Sequence, residues 1–191
     1  MPMSPQCENF VNRWIFKADN IELGSLESYF DKFITLFVAY NRLYAEATFK
    51  LWPVGTPKSP DPNRNFPDGR AAKEYVAIFL GEPDMTIGLE SDPDSALAIE
   101  ALNRVIAGGQ FNVCLRGPLS SPDPERDEHL LARLRSRSAS VRGRAVLEFV
   151  YSVRCNTFHG SKGFDPIQQQ VLEPCIKVLQ RLIHLLKAKF A

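Results

Sequence analysis

The chain has 191 residues, 45% of them hydrophobic and 24% charged, with a formal net charge of +1. That length and balance suit a single globular domain over 1–191 and exclude a disordered chain or one that coats nucleic acid through its overall charge. Any nucleic-acid partner must be met by a local basic patch. The N-terminus lacks a basic stretch followed by an apolar one, so no signal peptide is expected. The longest apolar run, 34–39, is far short of the ~20 residues that span a bilayer. A cytoplasmic location with no membrane partner is the expectation. Cys7, Cys114, Cys155 and Cys175 show neither Cys-x-x-Cys nor zinc-ligand spacing and read as reduced, buried thiols.

Residues 1–24 are mixed. Phe10, Val11, Trp14, Ile15 and Phe16 suit a short helix or a strand equally. A long helix is predicted over 25–50, capped by Ser25, with Glu27 and Asp31 placing negative charge in its first turns. Leu26, Phe30, Phe33, Phe37, Tyr40 and Tyr44 recur along it at helical spacing, and Ile34, Leu36 and Val38 widen the apolar surface. Such breadth predicts burial on more than one side. Five prolines between 53 and 67 make that stretch a loop.

A second helix is predicted over 68–80, stopped by Gly81. A third covers 93–107, capped by Asp92 and ended by Gly108-Gly109. Residues 110–121 are irregular, with a short strand expected at 111–115. Pro122-Asp123-Pro124 opens a fourth helix to about Arg135. A Ser/Arg link leads to a fifth over 141–159. The last helix is predicted over 165–190, with Asp165 as N-cap and Gln168 closing a capping box. Its apolar stripe is Leu172, Ile176, Leu179, Ile183, Leu186 and Phe190, and Pro174 predicts a kink or break. The pattern is all-α: an up-and-down bundle of five to six helices with loop insertions.

The fifth helix carries the chemistry. Val146, Phe149, Val150, Val153 and Thr157 form one face; Leu147, Tyr151, Arg154 and Phe158 form another. A helix apolar on both sides is sandwiched, one side against its own bundle and the other, by expectation, against a second copy. Arg154 lies in the second stripe, where a guanidinium needs a carboxylate, backbone carbonyls or a phosphate. His159 follows at the helix end. Five residues turn through about 140° net, so the two converge only where the helix unwinds near Gly160 or where both reach into a shared groove.

Arginine, four residues and histidine at the end of an apolar helix, Arg154-Cys-Asn-Thr-Phe-His159, resemble the motif of the HEPN superfamily, with Gly160-Ser-Lys162 following and Tyr40-Asn-Arg-Leu-Tyr44 on the first long helix. The resemblance covers roughly 25–50 and 140–190. That family often has a polar residue directly after the arginine; here Cys155 holds that position and Asn156 follows. The resemblance implies a HEPN-like helical bundle that pairs through its motif helix, both motifs lining one cleft. Many such bundles are metal-independent ribonucleases, among them toxins and defence effectors.

The chemistry itself needs no family. RNA carries its own nucleophile, the 2′-hydroxyl. Histidine can serve as base or acid, for roughly 10²- to 10⁴-fold, and Arg154 can stabilise charge building on the phosphoryl oxygens. The products would be a 2′,3′-cyclic phosphate and a 5′-hydroxyl, with no cofactor or metal. Asn156 and Lys162 are candidates for orienting or binding substrate. Asn41 and Tyr44 either hydrogen-bond into the cleft or form a satisfied polar pair in the core. Arg133, Arg135, Arg137, Arg142 and Arg144 either steer RNA or pair with Glu125, Asp127 and Glu128. His129 and His184 read as surface residues. The expected partners are RNA, a second copy, and an antitoxin or regulator. The alternative is a non-catalytic RNA-, nucleotide- or protein-binding module, or a purely structural bundle.

Overall fold

Short polar side chains before apolar periods start four of the helices. In a computed structural model describing residues 2–52, 66–116, 121–158 and 166–191, Ser4 accepts a hydrogen bond from the Cys7 amide and opens α1, Pro5–Asp19. Ser25 and Ser28 cap each other's backbone at the start of α2, Leu26–Leu51. Asp92 accepts from the Ser95 amide at α5, Pro93–Ala107, and Asp123 from the Arg126 amide at α6, Pro124–Leu134. Each such cap is worth about 1 kcal/mol.

Between α2 and α5 the chain makes two further helices. Asp68–Arg70, a π-helical stretch Ala71–Tyr75 and Val76–Leu80 run on as one rod, α3. Gly81, at φ 88°, ends it in a conformation that side chains with a Cβ avoid. Glu82–Glu90 follows as α4, with Pro83 in its first turn. Beyond α6 come α7, Ala139–Phe158, and α8, Ile167–Phe190. Leu115–Arg116 and Ser121–Pro122 pair as a two-residue antiparallel ladder.

The described residues therefore form eight helices, which corrects the expected five- to six-helix HEPN-like bundle. Two segments account for the difference. Residues 5–19, undecided between helix and strand, are helical because Cys7, Val11 and Ala18 fall on one helical face and bury against α2. The other segment, 82–90, contains Pro83 and Gly88, which mask its period. Gly88 lets α4 cross close to α8: a Cβ there would lie 2.8 Å from Leu185 Cδ2, which would have to shift.

One hydrophobic cluster joins these helices. The aromatic stripe of α2 is its spine: Phe33, Phe37, Tyr40 and Tyr44 are all buried, with the Tyr40 ring edge to face with those of Phe37 and Tyr44. α1 lies along α2, and α8 packs on α2 and α5. α8 runs unbroken through Pro174, so of the expected kink or break there is no break. The lost hydrogen bond and ring clash cost about 3 kcal/mol. Burial of Leu172, Ile176, Leu179, Ile183, Leu186 and Phe190 offsets that, at roughly 1.5–3 kcal/mol for each large side chain. α8 begins at Ile167 with Pro166 in the capping position, and Gln168 is buried. Asp165 and the proline-rich stretch 53–65 lie outside the described residues. None of the described helices is long and apolar enough to cross a membrane.

Residues 111–114 do not form the expected strand. Phe111 and Val113 are buried in the core. The buried Asp127 carboxylate accepts from the Val113 and Cys114 amides at 3.1 and 2.8 Å, satisfying backbone that no ladder reaches.

Candidate functional site

α7 is held along its length by the rest of the chain. At its start it crosses α4 closely: a Cβ on Gly143 would lie 2.7 Å from Met85 Cε and closer still to Thr86 Oγ1. The Thr86 hydroxyl donates to the Ala139 carbonyl at 2.7 Å. Arg142 reaches Glu90 through two hydrogen bonds of 2.7 and 2.9 Å. Arg144 pairs with Glu82, and Arg133 of α6 with Glu148 at 2.7 Å. These arginines are thus paired, but with Glu82, Glu90 and Glu148 rather than the expected Glu125, Asp127 and Glu128. Asp127 is occupied by backbone amides.

Further along, Leu147 is buried and Tyr151 half-buried within the same chain. The α3 rod covers this face. A Cβ on Gly69 would meet the Tyr151 hydroxyl at 3.2 Å, and Lys73 Nζ stands 5.2 Å from the Tyr151 ring centroid. As far as Tyr151, both apolar faces of α7 are therefore covered intramolecularly, by α3, α4, α6 and α8. The two-sided pattern does not by itself call for a second copy.

Near the end of α7 lies a polar cluster drawn from three helices. The Asp68 carboxylate, at the first position of α3, accepts a hydrogen bond from the Tyr44 hydroxyl on one oxygen and from the Tyr151 hydroxyl on the other, the latter at 3.0 Å. The start of a helix is electrostatically favourable for such an anion. Burial, reinforced by the hydrogen bond to Asp68, pushes the Tyr44 phenol well above the ordinary tyrosine range. Burial and then the neighbouring Cys155 and Asp68 push Tyr151 up as well. Both phenols stay protonated and donate.

Arg154 completes the cluster. Its Nη1 lies 3.9 Å from Asp68 Oδ2, beyond hydrogen-bond reach. Its guanidinium carbon sits 5.5 Å from the Phe37 ring centroid and 5.9 Å from that of Tyr151. The side chain is 23% exposed. The contact with Arg154 is a charge contact rather than the fork-to-fork pair that arginine and carboxylate usually make. The two rings flank the guanidinium within cation–π range.

The other sequence candidates divide. Tyr44 belongs to the cluster. Asn41, on the same helix, is half-buried and makes no hydrogen bond to the cluster. Asn156 points to the opposite side of α7: it is buried, and its Nδ2 donates to the Val113 carbonyl at 2.9 Å. It also lines a small pocket with Phe30, Phe111 and Thr157. Two positions along a helix are about 200° apart, so Arg154 and Asn156 share no groove. His159 and Lys162 lie outside the described residues. His129 and His184 are exposed, as expected of surface residues. Cys7, Cys114 and Cys175 are buried and Cys155 half-buried. Burial raises Cys114, beside Asp127, to about 12. Asp68 is the residue that sequence reasoning missed. Nothing local marks it, since its two phenol donors come from α2 and α7.

Fold and site define an all-α protein with a carboxylate–phenol–guanidinium cluster at the end of one helix. No family model, curated protein or solved structure matches the chain.

Proposed function

We propose that the end of α7 handles a phosphodiester: Arg154 holds the phosphate, and His159, the residue after the last described one, moves the proton in metal-independent cleavage of RNA to a 2′,3′-cyclic phosphate and a 5′-hydroxyl. The observation that carries this reading is the placement of Arg154. Its guanidinium is flanked by two rings and partly open to solvent. A guanidinium at the end of a helix and partly open to solvent can hold a phosphate through two parallel hydrogen bonds. The resemblance of Arg154–His159 to the HEPN motif supports the same chemistry.

A second reading rests on the same residue. Arg154 and Asp68 join α7 to α3 and, through Tyr44, to α2. On this reading the cluster is a structural tie, and the bundle binds RNA, a nucleotide or a protein without cutting it.

Incubation with mixed RNA in excess EDTA separates the two. Wild-type protein is expected to release fragments ending in 2′,3′-cyclic phosphate, and His159→Ala and Arg154→Ala are each expected to lower the rate by at least about 10²-fold. RNA left intact by a folded wild-type protein, with Arg154→Ala changing only the melting temperature, would establish the structural tie.

A further inference from the structure

The outward face of α1 takes no part in the cluster. Phe10, Arg13, Trp14 and Lys17 follow one another at spacings of three, one and three residues, which sets them on one side of the helix within about 60° of Phe10. Phe10 is 41% exposed, and Arg13 and Lys17 are exposed. The Phe10 and Trp14 rings stand 6.0 Å apart at 42° to each other. Lys17 Nζ lies 4.9 Å from the Trp14 ring centroid. Together with Phe16 and Asn20 these residues line an open groove of about 650 Å³.

The charges are segregated around this helix. Glu8 and Asp19, its exposed acids, sit about 160–180° away from Phe10. Among the described residues neither Arg13 nor Lys17 has a carboxylate within salt-bridge distance, although Arg42, Arg70, Arg116, Arg133, Arg142 and Arg144 all do.

We propose that this face of α1 binds single-stranded RNA, with unpaired bases stacking on Phe10 and Trp14 and the backbone phosphates meeting Arg13 and Lys17. Aromatic rings interleaved with unpaired cations are what a single strand needs: every base offers a π-face, and every linkage carries one negative charge. Two other occupants fit less well. A two-fold contact with a second copy would bring the cations of this face close to their own counterparts. A helix lying on a membrane presents an uninterrupted apolar face, whereas here the apolar face, Cys7, Val11 and Ala18, is spent on α2 and the outward one alternates rings with cations and amides. The surface lies on a different element from the Arg154 cluster, so the proposal stands whether or not the protein cuts RNA.

The test is fluorescence anisotropy of a labelled oligouridylate in EDTA, using the full chain carrying Arg154→Ala and His159→Ala so that nothing is cleaved. Adding Arg13→Glu and Lys17→Glu is expected to weaken binding at least tenfold and to reduce the slope of log affinity against log salt by about 1.4. Phe10→Ala is expected to weaken binding about tenfold, and Trp14→Phe to leave it within about threefold. Stacking should quench the tryptophan emission of the otherwise wild-type face, and Trp14→Phe, leaving Trp52 alone, should abolish that quenching. Circular dichroism checks that every variant keeps its helices. Unchanged affinity in the double charge reversal overturns the proposal. So does equal binding of a duplex of the same length. So does a charge reversal that abolishes binding to phosphatidylglycerol vesicles, or dissociates a dimer in sedimentation, while oligouridylate binding persists. Retained, α1-dependent binding by a wild-type protein that never cleaves would sink only the ribonuclease reading.

Discussion

The two ends of α7 use the same residue types to opposite ends. At its start, Arg142 grips Glu90 with two hydrogen bonds of ordinary length and donates to the Ser136 and Arg137 carbonyls as well. Near its finish, Arg154 faces Asp68 at 3.9 Å. Glu90 offers its two oxygens to the guanidinium, while the Asp68 oxygens each accept from a phenol. The first arginine fastens two helices through a fork of hydrogen bonds, and the second meets its carboxylate only at charge-contact distance.

Three changes would break or sharpen that contrast. The largest effect is expected from Gly143→Leu, which drives a side chain into Thr86 and Met85 where α4 meets α7. Overpacking of this kind costs about 3 kcal/mol, or a melting temperature lower by about 6–10 °C. A melting temperature within about 2 °C of wild type would show that the start of α7 is not the fixed end.

Next comes Tyr44→Phe, which strips Asp68 of one donor. It is expected to cost about 1–1.5 kcal/mol near neutral pH, read by urea denaturation. It also has a pH signature. Tyr44 and Tyr151 have raised pKa values in the folded protein. Their contribution is fully present below the unfolded tyrosine value of about 10, and it is lost as pH rises above it, because the unfolded chain releases those protons first. The raised thiols of Cys114 and Cys175 act in the same direction from about pH 8.5 upward. Stability should therefore fall through the alkaline range, and the fall above about pH 10 should be shallower in Tyr44→Phe. An identical slope in the two proteins would mean that the phenol is not held protonated by the cluster.

The smallest effect belongs to Arg142→Ala. Its partner carboxylate is more than a third exposed, and solvent screens the pair. Thermal unfolding should register a loss of about 0.5–1 kcal/mol. A loss as large as that of Gly143→Leu would mean that the ion pair, not the close packing, fixes this end of the helix.

Much of the fold was legible because it is local. Ser25, Asp92 and Asp123 sit just before apolar periods, and each caps the helix expected of it. Gly81 stops α3 where its lack of a side chain said it would. The apolar stripe of α8, from Leu172 to Phe190, is buried as its spacing required. What failed was also local in cause. The mixed aromatic face of α1 hides its period, because Phe10, Trp14 and Phe16 are not the residues that pack deepest. Pro83 and Gly88 look like breakers, yet one starts α4 and the other lets it approach α8. The site was half legible. Arg154 and Tyr44 could be singled out from their stripes, and both stand in the cluster. Asn156 could not be oriented, since its direction depends on where Val113 lies.

The amino-acid sequence determined where the helices start, which faces they bury, and that Arg154 would sit in an apolar stripe in need of a partner. These follow from hydrogen bonds and spacings within a few residues. Only the tertiary structure chose Asp68 as that neighbour and brought a phenol to each of its oxygens. Tyr151 and Asp68 stand 83 residues apart in the chain, and no local pattern records which helices will cross.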